Sequence, residues 1–440
     1  MRSYRIEPAA GPLSGTLRAP GDKSIGHRAV LLAAIADGPV TVTGLGAGAD
    51  NRATARAMRQ MGVEFDRRGD ELVVQGVGLH GLRAPAAAID CGNSGTTMRL
   101  LCGLLSAQPF AATLTGDASL RRRPMARVVE PLRRMGADIT GDTAPVRIRP
   151  AAGPLRGIDY ALPVASAQVK SALLLAGLYA DGATRIAEPG PSRDHTERML
   201  RFLGAPVRAE PGRVTVLDPA GWDRRLAARS LAVPGDPSSA AFAIAAAVVA
   251  GGAPVRVRGV CLNPTRTGFI DALRAMGADV RVDGAGERGG ETVGDVVVDG
   301  RAAGLRGIEV GRDLLVRCVD EVPVLAAVAA VADGETWFRD AAELRVKESD
   351  RIATTAAMLR AFGVEVDERD DALGVRGRAG APLAAADVDA AGDHRIAMAA
   401  VVAALAADGP CRVRDVANVA TSYPEFADHM RALGVTLTEA

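Results

Sequence analysis

The sequence predicts a two-domain α/β protein assembled from six repeated units, three to a domain. Two recurring patterns carry that expectation. The first is a polar cluster placed just before a run of small apolar residues. Asp22 to Arg28 precedes Ala29 to Ala36, Gly92 to Arg99 precedes Leu100 to Ala107, and Ser166 to Ser171 precedes Ala172 to Ala180. Gly235 to Ser239, Asp320 to Pro323 and Gly392 to Arg395 open three more such runs. The second is an amphipathic helix ending in a hydrophobe, a glycine and then Ala or Val, at Gly62, Gly136, Gly204, Gly277, Gly363 and Gly434. The interval is roughly 70 residues, and no unit of that kind closes its own core, so the units must share cores. At 440 residues the chain also exceeds what one hydrophobic core usually supports.

Taken in order, Ser3 to Arg18 alternates loosely between breaks at Pro8, Gly11, Pro12 and Gly15, which predicts one or two short strands before Pro20. In the stretch D-K-S-I-G-H-R-A-V-L-L-A-A-I-A-D-G, from Asp22 to Gly38, a helix starting near Ser24 brings Ser24 and Arg28 onto one face. Lys23 stays at the start, where free backbone N–H groups favour anions. Ala29 to Ala36 supply almost no polar side chain, so this helix should be buried nearly all round with its charged end at an opening. Pro39 to Leu45 then reads as a strand, Asn51 to Met61 as an amphipathic helix, and Val63 to Phe65 with Glu71 to Gln75 as a hairpin about Arg67 to Asp70. Later units keep this order. Val128, Leu132 and Met135 hold helical spacing while Glu130, Arg133 and Arg134 face away, and the last unit has its strand at Cys411 to Val416 and its helix at Glu425 to Leu433. Loop-forming clusters at Pro20-Gly21 and Pro234 to Pro237 mark crossovers. Residues 1–20 plus 236–440 are therefore expected to form one domain, and residues 21–235 the other.

Composition narrows the function classes. Aromatics at only 3%, beside 50 glycines, point to cores of Ala, Val and Leu and argue against single-stranded nucleic acid, whose binders rely on aromatic stacking. With a net charge of +1, no global field directs the protein to DNA or an anionic membrane, so affinity for anions must be local. Five cysteines, an odd number without C-x-x-C spacing, predict neither a disulfide framework nor a zinc site. The N-terminus lacks the apolar segment of a signal peptide. The longest uncharged run, Pro237 to Val255, is bounded by prolines and rich in Ala and Gly, which favours a buried helix over a membrane span. Cytoplasm is the expected location.

Motifs of known mechanism fail first. Asp22 separates Gly21 from Lys23-Ser24, which breaks a P-loop, and Gly44 to Gly48 lacks the third glycine of a dinucleotide fingerprint. No H-x-x-x-H pair and no serine nucleophile elbow occurs. What remains is a set of anion binders and acids. Lys23, Arg28, Arg99 and Arg395 stand where very apolar helices start, R-R-R-P runs from Arg121 to Pro124, and V-K-E-S-D-R places Lys347 and Arg351 four apart, as on one helix face. Two acids, Asp320 and Glu348, belong to similar segments. Charge runs are usually solvated surface, yet exposed charge has no need of these placements.

The segments D-K-S-I-G-H-R, G-N-S-G-T-T-M-R-L, R-R-R-P-M, S-A-Q-V-K-S-A, S-R-D-H-T-E, D-E-V-P, V-K-E-S-D-R and G-D-H-R-I-A-M, in this order along the whole chain, closely resemble the 5-enolpyruvylshikimate-3-phosphate synthase family of enolpyruvyl transferases. The resemblance implies an inside-out α/β barrel in two domains, each of three βαβαββ units with buried parallel helices, closing over the substrates at a cleft. It implies addition of the 5-hydroxyl of shikimate 3-phosphate to C2 of phosphoenolpyruvate, protonation at C3 and loss of phosphate from the tetrahedral adduct, in the pathway to aromatic amino acids. It also implies a monomer that needs no metal or organic cofactor and binds neither nucleic acid nor membrane.

Residue by residue, the resemblance assigns Lys23, Ser24 and Arg28 to shikimate 3-phosphate, with Lys23 also reaching phosphoenolpyruvate. Gly95 lets phosphoenolpyruvate approach the backbone, and Arg123 binds its charge. Ser166, Ala167 and Gln168 form the shikimate-phosphate loop, to which Arg193 adds. Asp320 is implied as acid/base on the shikimate hydroxyl, Lys347 as a phosphate ligand, Glu348 as a group beside the reacting carbon, and Arg351 with Arg395 as the phosphoenolpyruvate clamp. Arginine forks suit two phosphates and two carboxylates held together, because they pair bidentately and stay charged. Proton transfer needs shifted pKa values, expected of Lys23 among cations and of Asp320 or Glu348 in a dry cleft. Some relatives differ: Ser94 and Thr97 stand in place of two alanines, Ala167 in place of serine, and Thr421 where a lysine helps hold phosphoenolpyruvate.

Two other readings compete. The enolpyruvyl transferase acting on UDP-N-acetylglucosamine shares the repeats but carries an A-K-N-A-A start and a loop cysteine, whereas Thr115 to Pro124 has no cysteine. A noncatalytic repeat protein could use the basic helix starts only to bind anions. Asp320 and Glu348 argue against it, since acids weaken an anion site unless they do proton chemistry.

Overall fold

Alternation of strand and helix gives thirteen α-helices and six four-stranded sheets in the computed structural model, which describes residues 2–251, 253–299 and 304–440. The helices are α1 (Lys23–Ala34), α2 (Ala49–Gln60), α3 (Gly95–Leu105), α4 (Ala126–Arg134), α5 (Ala167–Gly177), α6 (His195–Phe202) and α7 (Pro237–Ala250). They continue as α8 (Gly268–Ala275), α9 (Arg312–Cys318), α10 (Val322–Ala329), α11 (Arg351–Ala361), α12 (His394–Ala404) and α13 (Phe426–Ala432). The fold is mixed α/β, with parallel and antiparallel strands in the same sheets. Ile89–Asp90, for example, runs parallel to Ala112–Thr115 on either side of α3. Parallel neighbours require such a crossover, and here the crossover is the buried helix itself.

The chain divides into two compact units. A framing unit contains Met1–Pro20, Gly235–Gly286 and Thr292–Ala440; an inserted unit contains Gly21–Pro234 and Glu287–Glu291. Strand pairing explains why the first twenty residues belong to the framing unit. Ser3–Ile6 lies between Cys411–Arg414 and Leu437–Glu439, and Gly15–Arg18 pairs in parallel with Val255–Cys261. Within the inserted unit, Leu231–Ala232 returns to pair with Pro39–Thr43. Glu287–Glu291 forms the tip of a hairpin, and Glu291 is buried in the inserted unit with Oε1 2.7 Å from His195 Nδ1.

The apolar runs become helices with almost no wet face. Every residue of α10 and α12 is buried, as are Pro237–Val249 of α7 and all of α1 from Ile25 onward. Small side chains permit this by letting backbones touch. A Cβ on Gly103 of α3 would lie 2.1 Å from the carbonyl oxygen of Ala172 in α5. By contrast α4 is two-faced: Val128, Leu132 and Met135 are fully buried while Glu130, Arg133 and Arg134 are exposed.

Several boundaries differ from the sequence expectation. Helix α1 starts at Lys23 because Asp22 caps it, its Oδ1 accepting from Ile25 N at 2.8 Å. The first hairpin pairs Phe65–Arg68 with Glu71–Gln75, and its turn tightens at Gly69, whose φ of +61° suits glycine. Of the uncharged run, α7 takes Pro237–Ala250 and Val255 already begins a strand; Gly252 lies outside the described residues. Among the described residues no helix is long and apolar enough to cross a membrane. The segment V-K-E-S-D-R is not one helix. A short turn ends at Val346, Lys347 is extended, and Asp350 starts α11 anew by accepting from Ala353 N.

Candidate functional site

In the inserted unit the polar residues cluster at the starts of α1, α3 and α5. Lys23 Nζ lies 3.2 Å from Asp50 Oδ2, so the expected surround of cations also contains a carboxylate. Arg28 is 4% exposed and held on three sides: Nη1 donates to Ser24 O at 2.9 Å, Nε to Thr196 Oγ1 at 2.6 Å and Nη2 to Ser171 Oγ at 2.8 Å. Burial lowers its pKa to about 10, with Glu197 opposing, so it stays charged at neutral pH.

At α3, Ser94 caps the helix through Thr97 N. A Cβ on the next residue, Gly95, would sit 3.3 Å from Arg99 Nη1 and 3.4 Å from Arg123 Nη1, so glycine lets two guanidinium groups approach this helix start. Arg123 Nη2 donates to Asn93 Oδ1 at 2.8 Å. Arg99 Nη1 donates to Gln168 Oε1 at 2.5 Å, and Gln168 Nε2 to Thr96 Oγ1 at 2.9 Å, which ties α3 to α5. Ser166 caps α5, Ala167 follows it, and half-buried Arg193 precedes α6 with its charge acting on Arg28. The arrangement offers helix N–H groups and several guanidinium forks, the equipment of an oxyanion and phosphate site.

The framing unit brings together the other predicted residues. Asp320 Oδ1 lies 3.2 Å from Arg351 Nη1 and 3.7 Å from Lys347 Nζ, while its Oδ2 is 3.9 Å from Arg395 Nη2. Arg351 is 1% exposed and also bonds Glu348 Oε2 at 2.5 Å and Asp393 Oδ2 at 2.9 Å. Burial alone would lower its pKa, but Glu348, Asp393 and Asp320 overcome that and raise it. Lys347 and Arg351 thus meet at a carboxylate, not along a helix face. The N-cap position of α10 belongs to Glu321, one residue after Asp320.

Sequence reasoning missed two residues here. Asp393 is fully buried; it caps α12 through Arg395 N and also accepts from Arg351 Nε and Ser349 Oγ. Burial raises its pKa, yet Arg351 and its other partners bring it below the usual aspartate value. Buried Glu321 accepts from Ser238 Oγ and lies 3.4 Å from Arg395 Nη1. Asp393 and Glu321 lie inside the quoted G-D-H-R and D-E-V-P segments, which was the available signal. Thr421, at the predicted lysine position, donates to Asn418 O within its own turn. Among the described residues no group of His, Cys, Asp and Glu is arranged to hold a metal ion.

A buried thread joins α1, α2 and α3. His27 Nδ1 is 2.7 Å from Thr54 Oγ1, Thr54 is 2.7 Å from Thr97 Oγ1, and Thr97 donates to Ser94 Oγ at 2.8 Å. Burial pushes the imidazole down to about 3, with Asp50 partly opposing. An unfolded histidine titrates near 6.5, so the unfolded chain takes up a proton that the folded chain refuses. The stability supplied by neutral His27 is complete above pH 6.5 and is lost as pH falls toward 3, by roughly 3 kcal/mol at pH 4. Denaturant titrations at pH 7 and pH 4.5 should therefore show a smaller loss for His27→Asn than for the parent. Equal losses would contradict the assignment.

A family model for EPSP synthase (3-phosphoshikimate 1-carboxyvinyltransferase) matches residues 8–430. The 3-phosphoshikimate 1-carboxyvinyltransferase of Alkalilimnicola ehrlichii is 51% identical over 439 residues, 99% of this chain and 96% of that one. That of Geobacter sulfurreducens is 51% identical over 430 residues, 97% and 98% of the two chains. Among solved structures, EPSP synthase from Acinetobacter baumannii matches with a TM-score of 0.91 at 44% identity, with both chains covered in full.

Proposed function

The chain belongs to the EPSP synthase family, and from that premise we propose how its residues divide the work. It is a 3-phosphoshikimate 1-carboxyvinyltransferase that moves the enolpyruvyl group of phosphoenolpyruvate onto the 5-hydroxyl of shikimate 3-phosphate and releases phosphate, a step of the shikimate pathway. In our reading each domain is built of three βαβαββ units around buried parallel helices, an inside-out barrel, and the chain works as a cytoplasmic monomer.

The inserted unit grips the shikimate phosphate with Lys23, Ser24, Arg28, Ser166, Ala167, Gln168 and Arg193. Gly95 and Arg123 receive phosphoenolpyruvate. The framing unit supplies Lys347 for the shikimate phosphate, Arg351 and Arg395 for phosphoenolpyruvate, and Asp320 and Glu348 for proton movements shared with Lys23. Asp320 accepts the proton of the 5-hydroxyl as its oxygen adds to C2. Glu348, the more exposed acid, faces C3. Ordering both reactants in a fixed geometry supplies a large part of the rate enhancement.

The observation that carries this reading is Asp320 standing within 4 Å of Lys347, Arg351 and Arg395. Three cations that this reading assigns to the substrate anions converge on the one carboxylate, which supports a role for it beside the bound reactants. Phosphate release should follow addition of shikimate 3-phosphate plus phosphoenolpyruvate and should be absent with UDP-N-acetylglucosamine as acceptor. The reverse pattern would overturn the substrate assignment.

A further inference from the structure

Lys170 of α5 is 2% exposed, yet its Nζ lies 2.6 Å from Glu188 Oε2 and 2.7 Å from Glu197 Oε1. Burial disfavours the ammonium, but the two glutamates more than compensate and hold the lysine charged above its ordinary pKa. Each carboxylate leads to a different part of the anion-binding face. The second oxygen of Glu188, Oε1, accepts from Ser192 Oγ, and Ser192 immediately precedes Arg193. Glu197 follows Thr196, whose hydroxyl receives Arg28 Nε at 2.6 Å and lies 2.7 Å from Ser171 Oγ. Among neighbouring charges Glu197 is also the leading one acting on Arg28.

Stability alone does not account for this cluster. A buried ion pair can often be replaced by packed apolar residues without loss, because desolvation of the charges offsets their attraction. The surrounding α5 is otherwise apolar from Ala172 to Gly177, so a hydrophobe at this position would suit the helix. The charge is instead spent on two tethers.

We propose that Lys170 is a positioning residue for the 3-phosphate of shikimate 3-phosphate: through Glu188 and Ser192 it fixes the loop carrying Arg193, and by occupying Glu197 it leaves Arg28 to the phosphate. This rests on the reading that Arg28 and Arg193 contact that phosphate. Removing the ammonium frees the 188–193 loop and gives Glu197 to Arg28, so affinity for the phosphorylated substrate falls while phosphoenolpyruvate is still received at Gly95 and Arg123.

The test is calorimetric titration of shikimate 3-phosphate alone, together with steady-state kinetics at saturating shikimate 3-phosphate. Lys170→Met should weaken shikimate 3-phosphate by about tenfold or more, the scale of one lost charge-assisted contact, while kcat and the KM for phosphoenolpyruvate change by less than about threefold. Ser192→Ala leaves every charge in place and should weaken the same substrate by about threefold to fivefold, so it decides the matter even if Lys170→Met does not fold. A lower melting temperature with unchanged affinity, or equal losses for both substrates, would overturn the proposal. Arg193→Ala, titrated in parallel, separates it from its premise. If Arg193→Ala alone weakens binding, positioning by Lys170 is wrong; if no variant weakens it, the phosphate-site reading fails as well.

Discussion

Asp320→Asn should lower turnover by roughly a hundredfold or more, the scale expected for loss of a general base, while shikimate 3-phosphate still binds. The asparagine keeps the size of the side chain and can still accept from Arg351, whose Nη1 lies 3.2 Å from Oδ1. It cannot take the proton of the attacking hydroxyl. The competing structural role, a helix cap, makes the opposite forecast: normal turnover and little change in stability, because Asn caps as well as Asp. That role is already weakened by the position of Asp320, one residue before the N-cap of α10. Rate and melting temperature measured on one preparation decide between the two, and near-normal turnover would remove Asp320 from the chemistry.

The second large effect concerns Arg395. Its Nη1 is committed to Asp320 O at 2.9 Å and lies 3.4 Å from Glu321 Oε1, which fixes the plane of the guanidinium. A lysine can carry the charge but not the planar fork, so Arg395→Lys loses bidentate pairing and the anchoring together. We expect the KM for phosphoenolpyruvate to rise by about tenfold to a hundredfold, corresponding to roughly 1.5–3 kcal/mol for a charged hydrogen bond, with a far smaller rise for shikimate 3-phosphate. Equal effects on both substrates would remove Arg395 from the phosphoenolpyruvate clamp.

Much of this was legible because local chemistry and fold agree. A capping side chain followed by an apolar run is readable one helix at a time, and Asp22, Ser94, Ser166, Asp236, Asp350 and Asp393 all accept a capping bond. The basic residues at those starts can therefore be assigned to helix N-termini from the sequence alone. Spacing misled where a cap interrupted it: Lys347 and Arg351 look like helical neighbours, but Asp350 begins a new helix between them. The least legible features depend on partners far along the chain. Nothing near Ser3 announces its pairing with Arg414, and nothing near Lys170 announces Glu188 and Glu197. Asp393 and Glu321 were hidden differently, since a carboxylate buried against arginines has the same sequence signature as one in water.

The residues proposed to bind the one pair of substrates come from both units of the chain, and that assignment most needs a direct test. Hydrogen exchange of the whole protein, with and without shikimate 3-phosphate plus a nonreacting phosphoenolpyruvate analogue, tests it most directly, because backbone protection reports where ordering occurs. Protection is predicted at 23–28, 93–99 and 166–170 in the inserted unit and, in the same complex, at 320–321, 347–351 and 393–395 in the framing unit. Protection confined to one unit, with binding of both ligands verified, would contradict the account.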